Sequence, residues 1–125
     1  MLTFRGYIRT KPLFSGLWVV NKIKKTRSEH LKRESSIENY MISKVRAAGG
    51  ECLKWVSPGT NGVPDRIVFL PGGVIKLVEL KAEGERPRKI QKAIHRRLEK
   101  LGVRVAVIDS KECVDAFMSL WGDMP

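Results

Sequence analysis

The sequence has few of the residues, and none of the long apolar runs, that mark membrane, secreted or zinc-binding proteins. Only two cysteines and two histidines occur among its 125 residues. Cys52 and Cys113 lie far apart, match no metal-ligand spacing, and are predicted to be buried free thiols in a reducing compartment. No apolar run approaches the roughly 20 residues of a membrane-spanning helix, and residues 17–20 are too short for the core of a signal peptide. These absences predict a cytoplasmic protein.

Acidic residues are scarce relative to basic ones. The 24 Lys and Arg outnumber the 13 Asp and Glu, which gives a formal net charge of +11 and a pI near 10.1. This charge indicates an anionic partner, and nucleic acid is favoured over the two alternatives, an anionic membrane surface or simple solubility. The length is sufficient for one domain around a modest core.

The positive charge is concentrated at the N-terminus. Residues 1–34 carry nine Lys and Arg against two Glu, and Gly and Pro interrupt their apolar side chains, so that no regular period emerges. We predict a basic leader over residues 1–34 and one folded domain over residues 35–125. Two interpretations of the leader stay open: a poorly ordered segment, or an arm that grips phosphates with interleaved aromatic side chains.

A group of charged residues flanks a predicted β-hairpin. Asp65 precedes Arg66 and the apolar residues 67–70, residues 71–73 read Pro-Gly-Gly, and a second, mostly apolar run leads to Glu79 and Lys81. Pro-Gly-Gly between two β-branched runs predicts a tight turn. Because side chains alternate along a strand, Glu79 and Lys81 share one face, and the antiparallel return brings Asp65 close to them.

Two carboxylates beside a lysine suit the hydrolysis of a phosphodiester. Asp65 and Glu79 offer the oxygen ligands that Mg²⁺ or Mn²⁺ prefers, and the backbone carbonyl of Leu80 could add a third. Lys81 could orient the attacking water or stabilise developing charge. The alternative is a solvated group of surface charges that contributes little energy. The apolar strand that leads to Glu79, and the rigid Pro64 before Asp65, favour the metal site.

The rest of the pattern predicts an α/β fold in the order α-β-β-β-α-β-α, with helices flanking a central mixed sheet. Ser35 and Glu38 have the spacing of a capping box, and apolar residues at helical spacing follow them up to Gly49. A second helix is expected over about 88–101. Its predicted buried side comprises Ile90, Ala93, Ile94, Leu98 and Leu101. A helix before the last strand makes that strand parallel to its neighbour.

The second predicted helix carries a basic stripe. Its Lys and Arg side chains recur at helical spacing, and we predict that they contact phosphates along one DNA strand, with a solvated basic face as the alternative. The predicted DNA contacts are Arg86, Arg88, Lys89, Lys92 and Arg96. His95 is expected to be a surface or DNA-contact residue rather than a ligand, and Gln91 alone is an ordinary helical residue.

Taken in order, these motifs resemble those of the PD-(D/E)xK nuclease superfamily. Gly62-Val63-Pro64-Asp65, then Val78-Glu79-Leu80-Lys81, then Gln91 are similar to the virus-type replication-repair nuclease (VRR-NUC) domain, over about residues 35–110. The resemblance implies a restriction-endonuclease-like core and supporting roles for Gln91 and for the helical Glu38. The implied catalytic set is Asp65, Glu79, Lys81, Gln91 and Glu38, and the implied metal ligands are Asp65, Glu79, Glu38 and the Leu80 carbonyl.

The small phage members of this family resemble homodimeric, junction-resolving endonucleases. The resemblance therefore implies a Mg²⁺- or Mn²⁺-dependent endonuclease that acts on branched DNA, such as a four-way (Holliday) junction, inside a bacterial or phage-infected cell. A non-catalytic branched-DNA-binding module, a flap or duplex nuclease of the same superfamily, and a basic structural protein stay open as alternatives. The predicted exposed candidates for a dimer interface are Phe117, Leu120 and Trp121, together with the aromatic side chains of the leader.

Overall fold

Helices and strands follow one another in the order that the sequence predicts. The computed structural model describes residues 27–122, so most of the predicted leader, with both interpretations of it, lies outside the described residues. The elements are α1 (Arg27–Ala47), β1 (Glu51–Lys54), β2 (Arg66–Leu70), β3 (Val74–Leu80), α2 (Lys89–Lys100), β4 (Val105–Ile108) and α3 (Lys111–Trp121).

The four strands form one mixed sheet in the order β1-β2-β3-β4. β1, β2 and β3 pair antiparallel, and β4 pairs parallel to β3, as the intervening helix predicts. Gly72 and Gly73 both have a positive φ, which glycine adopts without a Cβ clash, so the hairpin between β2 and β3 closes tightly. Arg66 pairs with Val78, and this register places Asp65 opposite Glu79 at the far end of the hairpin.

One face of the sheet, called the core face below, packs against α1 and α3. Successive residues of a strand point to opposite faces, and Val78 and Leu80 of β3 both point to this side. Helix α1 presents apolar side chains spaced four residues apart, which keeps them on one stripe. The core cluster comprises Ile37, Met41, Val45, Cys52, Val68, Leu70, Val78, Leu80, Ile108, Cys113, Val114 and Phe117.

The opposite face, called the site face below, carries Glu79 and its register partner Val107. Helix α2 lies on this side, where Ile94 and Gln91 are buried. The sheet therefore separates the apolar core from Glu79, because successive side chains of β3 point to opposite faces.

Helix α1 begins at Arg27 rather than at Ser35, so the predicted capping box at Ser35 and Glu38 is wrong. The segment before Ser35 is rich in Glu, Lys, Arg and Leu, which favour helix. The first turns are also tied to the loop after β3, because His30 Nδ1 lies 2.6 Å from Glu85 Oε1. The helix consequently crosses the predicted domain boundary after residue 34 without a break.

The predicted buried side of α2 is partly wrong at its ends. Ile94 is buried and Ala93 and Leu98 are half-buried, but Ile90 is 45% exposed and Leu101 is 78% exposed. Ile90 lies in the first turn, and Leu101 lies after the last helical residue, where the side chain no longer follows the helical stripe.

The predicted interface candidates at the C-terminal helix also need correction. Phe117 is completely buried in the core, so it cannot contact a second copy of the chain. Trp121 is half-buried, and Lys76 Nζ lies 3.5 Å from the centroid of its ring, a cation–π contact. Of the three candidates, Leu120 alone is exposed.

The cysteines are buried, as the sequence predicts. Cys52 and Cys113 form no disulfide with each other, and burial raises the pKa of each. Between residues 27 and 122 there is no helix with the length and apolar character needed to cross a membrane.

Candidate active site

Asp65 joins the two ends of the hairpin. Its Oδ2 accepts a hydrogen bond of 2.8 Å from the backbone amide of Leu80, and its carbonyl accepts one of 3.0 Å from the amide of Trp55. Burial, and next the neighbouring carboxylate of Glu79, raise the pKa of Asp65 to about 6, while the Leu80 amide and Lys81 oppose that rise. Asp65 is thus held in place at a position that disfavours its negative charge.

Glu79 is the centre of the site, with no solvent exposure at all. Its Oε2 accepts a hydrogen bond of 2.7 Å from Gln91 Nε2 and lies 3.3 Å from Lys81 Nζ. Its Oε1 is also buried and accepts no hydrogen bond from residues 27–122. Buried charges in proteins are normally paired or bound to a metal ion. Glu79 Oε1 is therefore open to a partner other than the side chains of residues 27–122.

Gln91 uses both ends of its amide group. The backbone amide of Arg88 donates a hydrogen bond of 2.8 Å to Gln91 Oε1, as in the second half of a capping box. Gln91 Nε2 is therefore free to donate to Glu79. Gly62, with a φ of +89°, packs against this turn, since a Cβ there would lie only 2.8 Å from the carbonyl oxygen of Ile90. The loop before Asp65 and the start of α2 thereby fit against each other.

Backbone pairing at the end of the sheet holds Lys81 near Glu79. Its backbone amide donates a hydrogen bond of 2.9 Å to the carbonyl of Ile108, which extends the pairing of β3 with β4 by one residue. Its side chain is only 12% exposed. The structure therefore brings Asp65, Glu79 and Lys81 together, as the hairpin pattern predicts, and adds Gln91, for which the family resemblance implies a supporting role.

His95 lies in this group too, and its predicted surface position is wrong. Its side chain is 15% exposed, and its Nε2 lies 3.7 Å from Glu79 Oε1. His95 follows Gln91 by four residues, which places both on the same stripe of α2. The spacing of four residues places His95 on the side of the helix that carries Gln91, but it does not show whether that side is buried.

Two glutamates one turn apart on α1 have different surroundings. Glu38 Oε1 lies 2.8 Å from both Arg66 Nε and Arg66 NH2, so its carboxylate is paired with this arginine. Glu34 was not predicted, yet its pKa is raised by burial, lowered by the charge of Lys81 and raised by that of Glu79. Glu34 therefore lies within electrostatic reach of Lys81 and Glu79, and a site role for Glu38 stays a prediction.

The predicted DNA-contact residues are accessible. Arg86, Arg88, Lys89, Lys92 and Arg96 are all exposed, while Gln91 and His95 on the same helix turn inward. Helix α2 thus has one side in the cluster and a basic side in solvent.

The donor atoms of the cluster suit a small divalent cation completed by water. Within residues 27–122, no three or more His, Cys, Asp and Glu side chains form a set that could hold a metal by themselves. Mg²⁺ usually needs only one or two carboxylates and keeps several waters. Two features of the site fit such an ion. Glu79 Oε1 accepts no hydrogen bond from residues 27–122, so a cation would satisfy it. The charges of Glu79 and Asp65 are crowded, so a cation would relieve their repulsion.

Comparisons with known proteins agree with this arrangement. The chain is 52% identical over 82 residues to a protein of Acyrthosiphon pisum secondary endosymbiont phage 1 named "Putative nuclease p44", which covers 66% of this chain and 88% of the phage protein. A solved structure titled "VRR_NUC domain" matches with a TM-score of 0.66 and 35% identity, over 70% of this chain and 95% of that one. No protein-family model matches the chain.

The fold and the relatives lead to the same conclusion. A four-stranded mixed sheet between α1 and α3 on one face and α2 on the other is an α/β core of the restriction-endonuclease type. More than half of the residues that align with the phage relative are identical to it. The chain belongs to the small, phage-type VRR-NUC nucleases.

Proposed function

We propose that this nuclease is a divalent-cation-dependent endonuclease that hydrolyses phosphodiester bonds in branched DNA, with a four-way junction as its preferred substrate. The observation that carries the proposal is the fully buried Glu79, whose Oε1 has no hydrogen-bond partner within residues 27–122 and which adjoins Asp65, Lys81 and Gln91. A buried carboxylate arranged in this way suits catalysis better than stability.

Asp65 and Glu79 would hold the cation, Mg²⁺ or Mn²⁺. The Leu80 carbonyl is a predicted third ligand, and the hydrogen bond from the Leu80 amide to Asp65 fixes the peptide next to it. When bound, such an ion polarises a phosphate oxygen and makes a water molecule more acidic. Its charge also offsets the repulsion that raises the pKa of Asp65.

Lys81 and Gln91 have supporting roles. Lys81 Nζ lies beside Glu79 and carries three N–H donors, so it can orient the attacking water or stabilise negative charge that develops on the phosphate. Gln91 holds Glu79 Oε2 from the other side and leaves Oε1 for the cation. The two residues together fix the orientation of the Glu79 carboxylate.

The basic side of α2 would hold the DNA. Lys92 and Arg96 lie four residues apart and both are exposed, so their charges repel unless an anion lies between or beside them. Phosphates of one DNA strand supply such anions, and their neutralisation makes binding depend on salt.

The branched substrate and a homodimer are supported by the family and by symmetry. One cluster of this kind cuts one strand, and symmetric resolution of a four-way junction needs two cuts. Two copies related by a twofold axis would supply both.

The catalytic proposal is tested by cleavage of four-way junctions, flaps, splayed arms and linear duplexes in Mg²⁺, in Mn²⁺ and in EDTA, with the solution mass measured in parallel. We expect cleavage in either metal, none in EDTA, and a loss of about 10³-fold in Asp65→Asn and in Lys81→Ala. Glu51→Gln removes an exposed carboxylate on β1 and is the matched control for Asp65→Asn. Full activity in a folded Asp65→Asn or Lys81→Ala protein would show that the proposed centre is wrong.

The proposed DNA surface is tested by a pair of double variants that each remove one Lys and one Arg. Lys92→Ala with Arg96→Ala should weaken junction binding and reduce the slope of log affinity against log salt by about 1 to 2. Lys44 and Arg46 are exposed near the C-terminal end of α1. The double variant Lys44→Ala with Arg46→Ala should leave the junction affinity and the salt slope unchanged. Equal losses in the two double variants would mean that binding responds only to total charge.

A further inference from the structure

Two buried polar atoms of the site face each other without a hydrogen bond. Glu79 Oε1 and His95 Nε2 are 3.7 Å apart. Neither atom has a hydrogen-bond partner among residues 27–122, and both are shielded from solvent. The other oxygen of the same carboxylate already contacts Gln91 and Lys81, so the two ends of Glu79 differ in how well they are held.

Helix α2 sets this arrangement. Gln91 and His95 are separated by one helical turn and both lean toward β3, so that one reaches Oε2 and the other approaches Oε1. A separation of 3.7 Å exceeds a direct hydrogen bond. Hydrogen bonds between catalytic groups are often long without substrate and shorten when the reacting complex forms.

We propose that His95 is a positioning residue, which donates from Nε2 to Glu79 Oε1 when the site is loaded and so fixes the carboxylate that holds the cation. The inference rests on the proposed function, since it concerns the same centre. A carboxylate oxygen has two lone pairs, so Oε1 accepts from His95 and ligates the ion at the same time. His95 and Gln91 then brace the carboxylate at both oxygens, as outer partners of metal ligands commonly do.

The test uses two substitutions and a binding measurement that does not depend on cleavage. His95→Gln keeps an N–H donor at nearly the same distance from the backbone, whereas His95→Leu keeps the bulk and removes the donor. The affinity for Mn²⁺ is measured on the full chain without DNA, from the signal of free Mn²⁺ in electron paramagnetic resonance. We expect His95→Leu to bind Mn²⁺ about 10- to 100-fold more weakly than the wild type, and His95→Gln to stay within about threefold.

Three results would overturn the inference. Unchanged Mn²⁺ affinity in a folded His95→Leu protein would show that Oε1 needs no donor. Equal losses in His95→Gln and His95→Leu would show that His95 acts only by packing. Strong coupling of an imidazole nitrogen to bound Mn²⁺, seen by pulsed electron paramagnetic resonance and lost in His95→Leu, would make His95 a ligand rather than a positioning residue.

The same measurements separate this inference from the proposed function. A wild type that binds no Mn²⁺ and cuts no DNA overturns both. A wild type that binds Mn²⁺ and cuts DNA, together with a His95→Leu protein that does the same equally well, overturns the role of His95 alone.

Discussion

The two faces of the sheet carry opposite kinds of residue, although the same strands build both. On the core face, Val78 and Leu80 are buried among apolar side chains of α1 and α3. On the site face, the residue between them, Glu79, is just as buried but is acidic, and its Oε1 accepts no hydrogen bond from residues 27–122. Beyond the cover of α2, apolar side chains of this face such as Phe69 and Ile75 are exposed.

The difference indicates that stability and chemistry are divided between the faces. Burial of apolar surface on the core face stabilises the fold by about 25 cal/mol per Å². Burial of Glu79 and Asp65 costs stability, as the raised pKa of Asp65 reflects. Substitutions on the two faces should therefore have opposite profiles, with stability lost on one side and activity lost on the other.

The largest effect is expected from Glu79→Gln on the site face. The neutral isostere removes the charge that the proposed cation needs, so cleavage of DNA should fall by about 10³-fold or more. The free energy of unfolding, measured with urea in EDTA, should stay within about 1 kcal/mol of the wild type or rise, because an incompletely paired buried charge is removed. A large loss of stability would place Glu79 among the residues that hold the fold.

The converse is expected for Phe117→Ala on the core side. Phe117 is among the largest completely buried side chains, and its truncation leaves a cavity that should lower the free energy of unfolding by about 3 to 5 kcal/mol. At temperatures where the variant is still folded, its cleavage rate should remain within about twofold of the wild type. Met41→Leu, a volume-conserving change in the same core, serves as the control, with a loss below about 1.5 kcal/mol.

The sequence predicts most of the site face because its signals there are local. Strand alternation and a Pro-Gly-Gly turn suffice to place Asp65 opposite Glu79, and the register confirms this. The fold class follows from the order of apolar periods, and the parallel β4 follows from the helix before it. These inferences need no knowledge of how α1 or α2 packs on the sheet.

What the sequence misses depends on tertiary contacts. The first turn of α1 contacts the loop after β3 through His30 and Glu85, which are far apart in the chain, so the start of this helix does not follow from the local spacing of Ser35 and Glu38. The burial of His95 depends on how α2 packs on the site face, and its spacing from Gln91 alone does not decide between a surface and a buried position. Phe117 has the same ambiguity, since an apolar residue near the C-terminus suits a core or an interface equally well.

The site face should also be the pH-sensitive one. In the absence of metal, the pKa of Asp65 is about 6 in the folded protein against an ordinary value of 3.8, so the folded state binds the proton more tightly. The corresponding stabilisation is fully present below the unfolded value and is lost as the pH rises to about 6. Solvent screens a group at the rim, so we expect a change on the order of 1 kcal/mol.

This prediction is measured as the difference in unfolding free energy between the wild type and Asp65→Asn, in EDTA, from about pH 4 to pH 7. The wild type should lose stability relative to the variant as the pH rises, and Mg²⁺ should restore it at the upper end. A difference that does not vary with pH would mean that the Asp65 carboxylate is not destabilised by its surroundings.

The smallest effects should distinguish the two glutamates of α1, which lie one turn apart on the same helix. Glu34 is coupled electrostatically to Lys81 and Glu79, so Glu34→Gln should weaken Mn²⁺ binding by a few-fold, about 1 kcal/mol at most, through lost attraction for the cation. Glu38 instead pairs with Arg66, whose side chain is mostly buried and also donates to the Cys52 carbonyl. Glu38→Gln should therefore lower the free energy of unfolding by about 1 kcal/mol and leave Mn²⁺ affinity unchanged.

The two variants are each other's control, because each removes one carboxylate from the same helix. Should Glu38→Gln be the one that weakens Mn²⁺ binding, the role that the family resemblance implies for Glu38 would hold, and the division between a structural and a functional glutamate would be reversed.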